Sequence, residues 1–194
     1  MNVRAWLMVT LVPAAVLAGC LGTLDSDPRA EEIAVVPEAE LNLPLRDSHR
    51  HWLLRGESGW CGAHEVRYGG NPDDAGIVGV RVAILRDDEA AVGAYARLTS
   101  PAYLYSILRD RMINLPRPVE YPEHLDGDEV AVTEYDVRLP LVLSPEITLI
   151  GQITTVRAGR VVVLIESIGV HPPQLVPAVR ELVRAAYRLP PDEC

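Results

Sequence analysis

The sequence predicts an α+β domain, an antiparallel sheet of about five or six strands with two or three helices packed on it. Three observations carry this. Ile147 to Arg157 and Arg160 to Ile168 are long β-rich runs joined by Ala158-Gly159, the pattern of a hairpin with a short turn. Ile77 to Leu85 is a β-branched strand followed at once by helix signals. Leu175, Val179, Leu182, Ala186 and Leu189 then recur at helical spacing near the chain end. Strands and helices that do not alternate strictly point to α+β layers rather than a parallel sheet.

Taken in order, the chain opens with Met1-Asn2-Val3-Arg4, a short positive segment. An apolar run from Ala5 to Val16 follows, broken only by Thr10 and Pro13. It is shorter than the ~20 residues a membrane helix needs and matches an export signal. It ends in Leu17-Ala18-Gly19-Cys20, which resembles the lipobox of bacterial lipoproteins. The resemblance implies a signal peptide over residues 1–19, cleavage before Cys20, and diacylglycerol and acyl chains such as palmitate on that cysteine. A membrane held through this lipid is then the first expected partner. Leu21 rather than Asp follows the cysteine, which resembles outer-membrane sorting if the host has two membranes; with one membrane the expected place is its outer face.

Residues 20–47 read as a lipidated acidic tether, with Asp25, Asp27, Glu31, Glu32, Glu38 and Glu40 set among Pro28, Pro37 and Pro44. Such a composition buries too little apolar surface to offset the entropy of ordering. Ile33-Ala34-Val35-Val36 is its one apolar patch, able either to dock on the domain or to stay solvated. Residues 48–194 are then a single domain. His51 to Arg55 and Ala63 to Tyr68 flank a Gly-rich turn as a first hairpin, and Gly69 to Asp73 is loop. Asp87 or Asp88 caps a helix through Val92, Tyr95 and Leu98, with Glu89 in its first turn. Ser100-Pro101 starts a second helix. Pro116, Pro118 and Pro122 argue against regular structure. Gly127-Asp128-Glu129 leads into a strand from Val130 to Val137. Arg160 to Ile168 is apolar on both faces and suits a central strand. Pro177 is acceptable in the last helix if that helix starts near Gln174.

This order of elements, with Gly127-Asp128-Glu129 and Arg157-Ala158-Gly159-Arg160, resembles small extracytoplasmic lipoprotein domains of GC-rich bacteria, which are often Mog1/PsbP-like or kinase sensor-like. The resemblance covers about residues 77–189 and brings no catalytic residues with it.

Composition narrows function more by exclusion. Phe is absent and all 18 basic residues are Arg, which fits a GC-rich genome, since Phe and Lys have AT-rich codons. The net charge of −9 repels nucleic acid and anionic headgroups, so nucleic acid is not an expected partner and the lipid anchors without a basic patch. With Cys20 lipidated, Cys61 and Cys194 are left to form a disulfide in an oxidising compartment.

The remaining clusters each have a plainer reading. His49 and His51 share one face of a strand near His64 and Cys61, a spacing compatible with metal, but packing or surface histidines fit better. Asp126, Asp128 and Glu129 suit a charged turn better than acid/base work or Ca²⁺. Arg180, Arg184 and Arg188 stripe the last helix, where cations favour the C-terminus. Trp52, Trp60, Tyr95, Tyr103 and Tyr105 fill a Phe-free core or line a pocket. No nucleophile elbow, zinc-protease pair or phosphate loop occurs. Neither a metal nor a cofactor is expected. The expected function is a lipid-anchored, extracytoplasmic, non-catalytic module for an unknown envelope ligand or protein. The alternatives are an envelope enzyme such as a hydrolase, or an assembly-factor lipoprotein.

Overall fold

The computed structural model describes residues 28–50, 54, 59–70, 76–110, 112–120, 125–137, 149–170 and 172–190. The leader, Cys20, His51, Trp52 and Cys194 lie outside the described residues.

Seven strands form one antiparallel sheet: β1 (Leu45–Arg50), β2 (Trp60–Gly69), β3 (Ile77–Leu85), β4 (Arg117–Pro118), β5 (Glu129–Val137), β6 (Leu149–Ala158) and β7 (Val161–Ile168). Their order is β1-β2-β3-β7-β6-β5-β4, two meanders that meet where β3 pairs with β7. The apolar run at residues 161–165 is therefore the centre of the sheet and is buried on both faces. Gly159, at φ +54°, takes the left-handed conformation that the two-residue β6–β7 turn requires.

The sheet departs from the expected five or six strands in two ways. The first strand lies at Leu45–Arg50, ahead of the His51–Arg55 position expected for it. The proline stretch supplies the extra strand: Arg117 and Pro118 pair with β5 at the sheet edge, where a residue without an N–H is tolerated.

Helices cover both faces. Helices α3 (Asp88–Leu98) and α4 (Pro101–Leu108) carry the chain from central β3 towards the β4 edge across one face. Both start as expected: Asp87 accepts from the Ala90 N–H at 2.8 Å, and Ser100 caps α4 with Pro101 at its first position. On the other face lie α1 (Pro28–Ala34), α2 (Glu38–Leu41) and α5 (Pro172–Tyr187). Helix α5 begins two residues before the expected Gln174, so Pro177 sits within it on an exposed face and deprives one helical carbonyl of its donor.

The tether boundary at residue 47 is overturned. Ala30, Ile33, Ala34, Val36, Leu41 and Leu43 are buried in the same core as β2, β3 and α5. The Tyr68 hydroxyl, itself buried, accepts from the Val36 N–H at 2.7 Å and donates to the Val36 carbonyl at 2.9 Å. A few apolar residues outweigh an acidic composition here because the charges stand on the outward side of α1 and α2. Among the described residues the folded domain thus already includes the segment from Pro28.

Candidate functional site

The sheet face under α3 and α4 carries a cluster of buried charges. Glu65 on β2 and Arg81 on β3 are cross-strand partners, 3.3 Å apart at Oε1 and Nη2. The same Nη2 lies 3.3 Å from Glu166 Oε2 on β7. Arg67 Nε donates to Glu65 at 2.8 Å, and His49 Nε2 lies 3.6 Å from its other oxygen. The Tyr135 hydroxyl crosses β6 to donate to Glu166 at 2.9 Å. It can do so because Gly151 faces it in the register; a Cβ there would fall 2.3 Å from the tyrosine ring. Burial disfavours the Arg81 charge, but the two carboxylates outweigh this and hold its pKa above the usual value. Opposite charges face one another across the three strands, which is the pattern of a structural network.

The second feature is a cleft of about 650 Å³ at the end of the sheet where β6 turns into β7. Its walls are the β3–α3 junction, Arg86 to Glu89, and the last turn of α5 with Ala186, Tyr187 and Leu189. Gly159 and Arg160 of the hairpin turn form its floor. Arg86 Nε pairs with Asp87 at 2.9 Å, and Arg160 donates to the Pro190 carbonyl. Asp88 reaches over the turn, 3.9 Å from where a Gly159 Cβ would stand.

A fixed scaffold holds that floor. Asp128 Oδ2 accepts from the Gly159 N–H at 2.7 Å and from Arg157 at 2.9 Å, and Arg157 Nε donates to Glu129 at 2.6 Å. Asp128 Oδ1 accepts from the Tyr187 hydroxyl at 2.8 Å, which sets the ring at the cleft wall. Burial pushes the Asp128 carboxyl up, but the bonds from Gly159, Tyr187 and Arg157 outweigh it and leave its pKa below the ordinary value. Burial first, and then the Asp128 carboxylate, raise the pKa of Tyr187.

The residues singled out in the sequence fall mostly into structural positions. Asp128 and Glu129 are the charged turn of the plainer reading. His49 and His64 point to opposite faces: His49 stands beside Glu65, while His64 Nε2 meets Ser48 Oγ at 2.8 Å. They cannot share an ion, and among the described residues no group of His, Cys, Asp or Glu is placed to hold a metal. Arg184 pairs with Glu181 on an exposed face. Trp60, Tyr95 and Tyr103 pack on the core under α3 and α4. Tyr105 lines a separate apolar groove of about 250 Å³ with Leu104, Leu115, Pro116 and Pro118. Cys61 stands half-buried at a bulge between Trp60 and Gly62. The aromatic residue of the large cleft, Tyr187, had no distinguishing signal in the sequence, since one tyrosine at a helix end has no motif.

The sequence matches no protein-family model and no curated protein. Among solved structures, the fold is similar to the extracellular domain of PknH from Mycobacterium tuberculosis. The TM-score is 0.57 at 9% identity, over 85% of this chain and 98% of that domain. This is a likeness of fold. Among the described residues no helix is long and apolar enough to cross a membrane.

Proposed function

We propose that this chain is a lipoprotein whose domain stands outside the cytoplasmic membrane and binds a ligand without chemical turnover. Cys20 carries the lipid and the cleft beside Gly159 takes the ligand. The observation that carries this reading is the fold likeness, which spans nearly the whole of a domain described as extracellular. The lipobox-like Leu17-Ala18-Gly19-Cys20 supplies the export and the anchor for such a domain. The hydrolase alternative finds no support in the buried carboxylates Glu65 and Glu166, which share one guanidinium.

A Cys61–Cys194 disulfide belongs to the same proposal. Export provides the oxidising compartment. Arg160 ties Pro190 to the sheet end where its own carbonyl accepts from the Leu85 N–H, and Leu85 pairs with Trp60, next to Cys61. The four residues after Pro190 can span up to ~13 Å.

The test of the anchor is Cys20→Ala. Native protein is expected in the detergent phase of a cloud-point partition and in the membrane fraction, and the variant in the aqueous phase or unprocessed. Equal partition of both proteins refutes the lipid anchor.

A further inference from the structure

We infer that the cleft beside Gly159 is a saccharide site; this rests on the ligand-binding reading above. At about 650 Å³ the cleft lies within the range of small-molecule sites, of ~300–1,000 Å³. Its one aromatic wall is Tyr187, half exposed, with its orientation fixed by the 2.8 Å bond to Asp128. A tyrosine held in this way offers a rigid apolar face at little entropic cost, suited to the C–H face of a pyranose or furanose ring. Around it stand planar groups that bond hydroxyls in pairs: the carboxylates of Asp88 and Glu89 and the guanidinium of Arg86. Gly159 leaves the floor open for a ring to lie flat, since no side chain rises between Asp88 and the turn.

Charge distinguishes this ligand from others of similar size. Arg86 neutralises Asp87, and Arg160 is held to the Pro190 carbonyl. Asp88 and Glu89 face the positive end of α3, which offsets their charge. With these charges offset in place, the cleft suits a neutral polyol, which donates to the carboxylates and accepts from the guanidinium. Two of the three walls are helix ends and the third is a hairpin turn, so the site is rigid before the ligand arrives.

The experiment is a titration of the isotope-labelled mature chain, lipid included, in detergent micelles, read by two-dimensional NMR. The probes are chitotetraose, maltotetraose and an arabinofuranose tetrasaccharide, with inorganic phosphate and spermidine as charged probes, each raised to about 10 mM to reach millimolar affinities. The expected result is saturable shifts at Asp88, Gly159 and Tyr187 with at least one oligosaccharide. Asp88→Ala and Tyr187→Leu are expected to weaken binding about tenfold or more, and Tyr187→Phe, which keeps the ring but loses the bond to Asp128, to weaken it less. Unchanged spectra outside the cleft show that the variants fold. Shifts with phosphate or spermidine but no sugar overturn the saccharide assignment and leave the binding module standing. No shift at the cleft with any probe overturns both, and sugar shifts confined to another surface overturn this site.

Discussion

At the scale of single residues, two groups do work that their sequence neighbours do not announce. Asp128 receives three donors, from the Gly159 N–H, Arg157 and Tyr187. Its carboxyl is held below the ordinary Asp value of about 3.9, so folding is favoured by the ionised form. The stability this contributes is present above that ordinary value and is lost as pH falls through the lower folded one. Native protein should therefore show a stability loss on acidification that is smaller in Asp128→Asn, measured as thermal midpoints from about pH 6 down to about pH 2. Identical pH profiles for the two proteins refute the assignment. Arg81 is the second group. Removing it in Arg81→Met leaves Glu65 and Glu166 buried without their shared cation, at an expected cost of about 3–5 kcal/mol in urea unfolding. A loss below about 1 kcal/mol would mean that Arg67, His49 and Tyr135 suffice for the two carboxylates.

Elements are positioned by small numbers of contacts that join distant parts of the chain. The α1–α2 segment is held by an apolar face and by the two bonds between Tyr68 and Val36. Tyr68→Phe keeps the ring but strands a buried N–H and a carbonyl, and should cost about 2 kcal/mol. The loss should be local first: hydrogen exchange is expected to quicken over residues 28–43 before it does so in β3 or β7. Uniform acceleration across the sheet would contradict local docking. Elements with strong local signals were legible without this information. Asp87, Ser100-Pro101 and the β6–β7 turn mark caps and a hairpin that depend only on neighbours in sequence. The α1–α2 segment and strand β4 were not legible, since an acidic stretch and a proline-rich one become ordered only against non-local partners, Val36 on Tyr68 and Arg117 and Pro118 on Glu134 and Thr133, that no local pattern encodes.

The whole molecule is one sheet of two meanders, clad by helices on both faces, with its chain end returning to the β6–β7 turn. The proposed Cys61–Cys194 bond would close a loop over most of the domain, worth up to about 5 kcal/mol in the chain-entropy model. Exported protein is expected to resist alkylation until reduced and unfolded, and to lose about 2–5 kcal/mol on reduction. Ready alkylation of both thiols in unreduced, unfolded protein excludes the bond.

The sequence by itself determined the α+β class, the central strand and the capped helices of the middle region. All of these rest on periodicity, caps or a short motif within one stretch of chain. Tertiary structure decided that the segment from Pro28 belongs to the domain, how many strands it has, that His49 and His64 face apart, and that Asp88, Gly159 and Tyr187 share one cleft. Those are matters of register and of contact between residues far apart in the chain. Strand parity fixes a side chain's face only once the register is known, and a cleft exists only where separate elements end together.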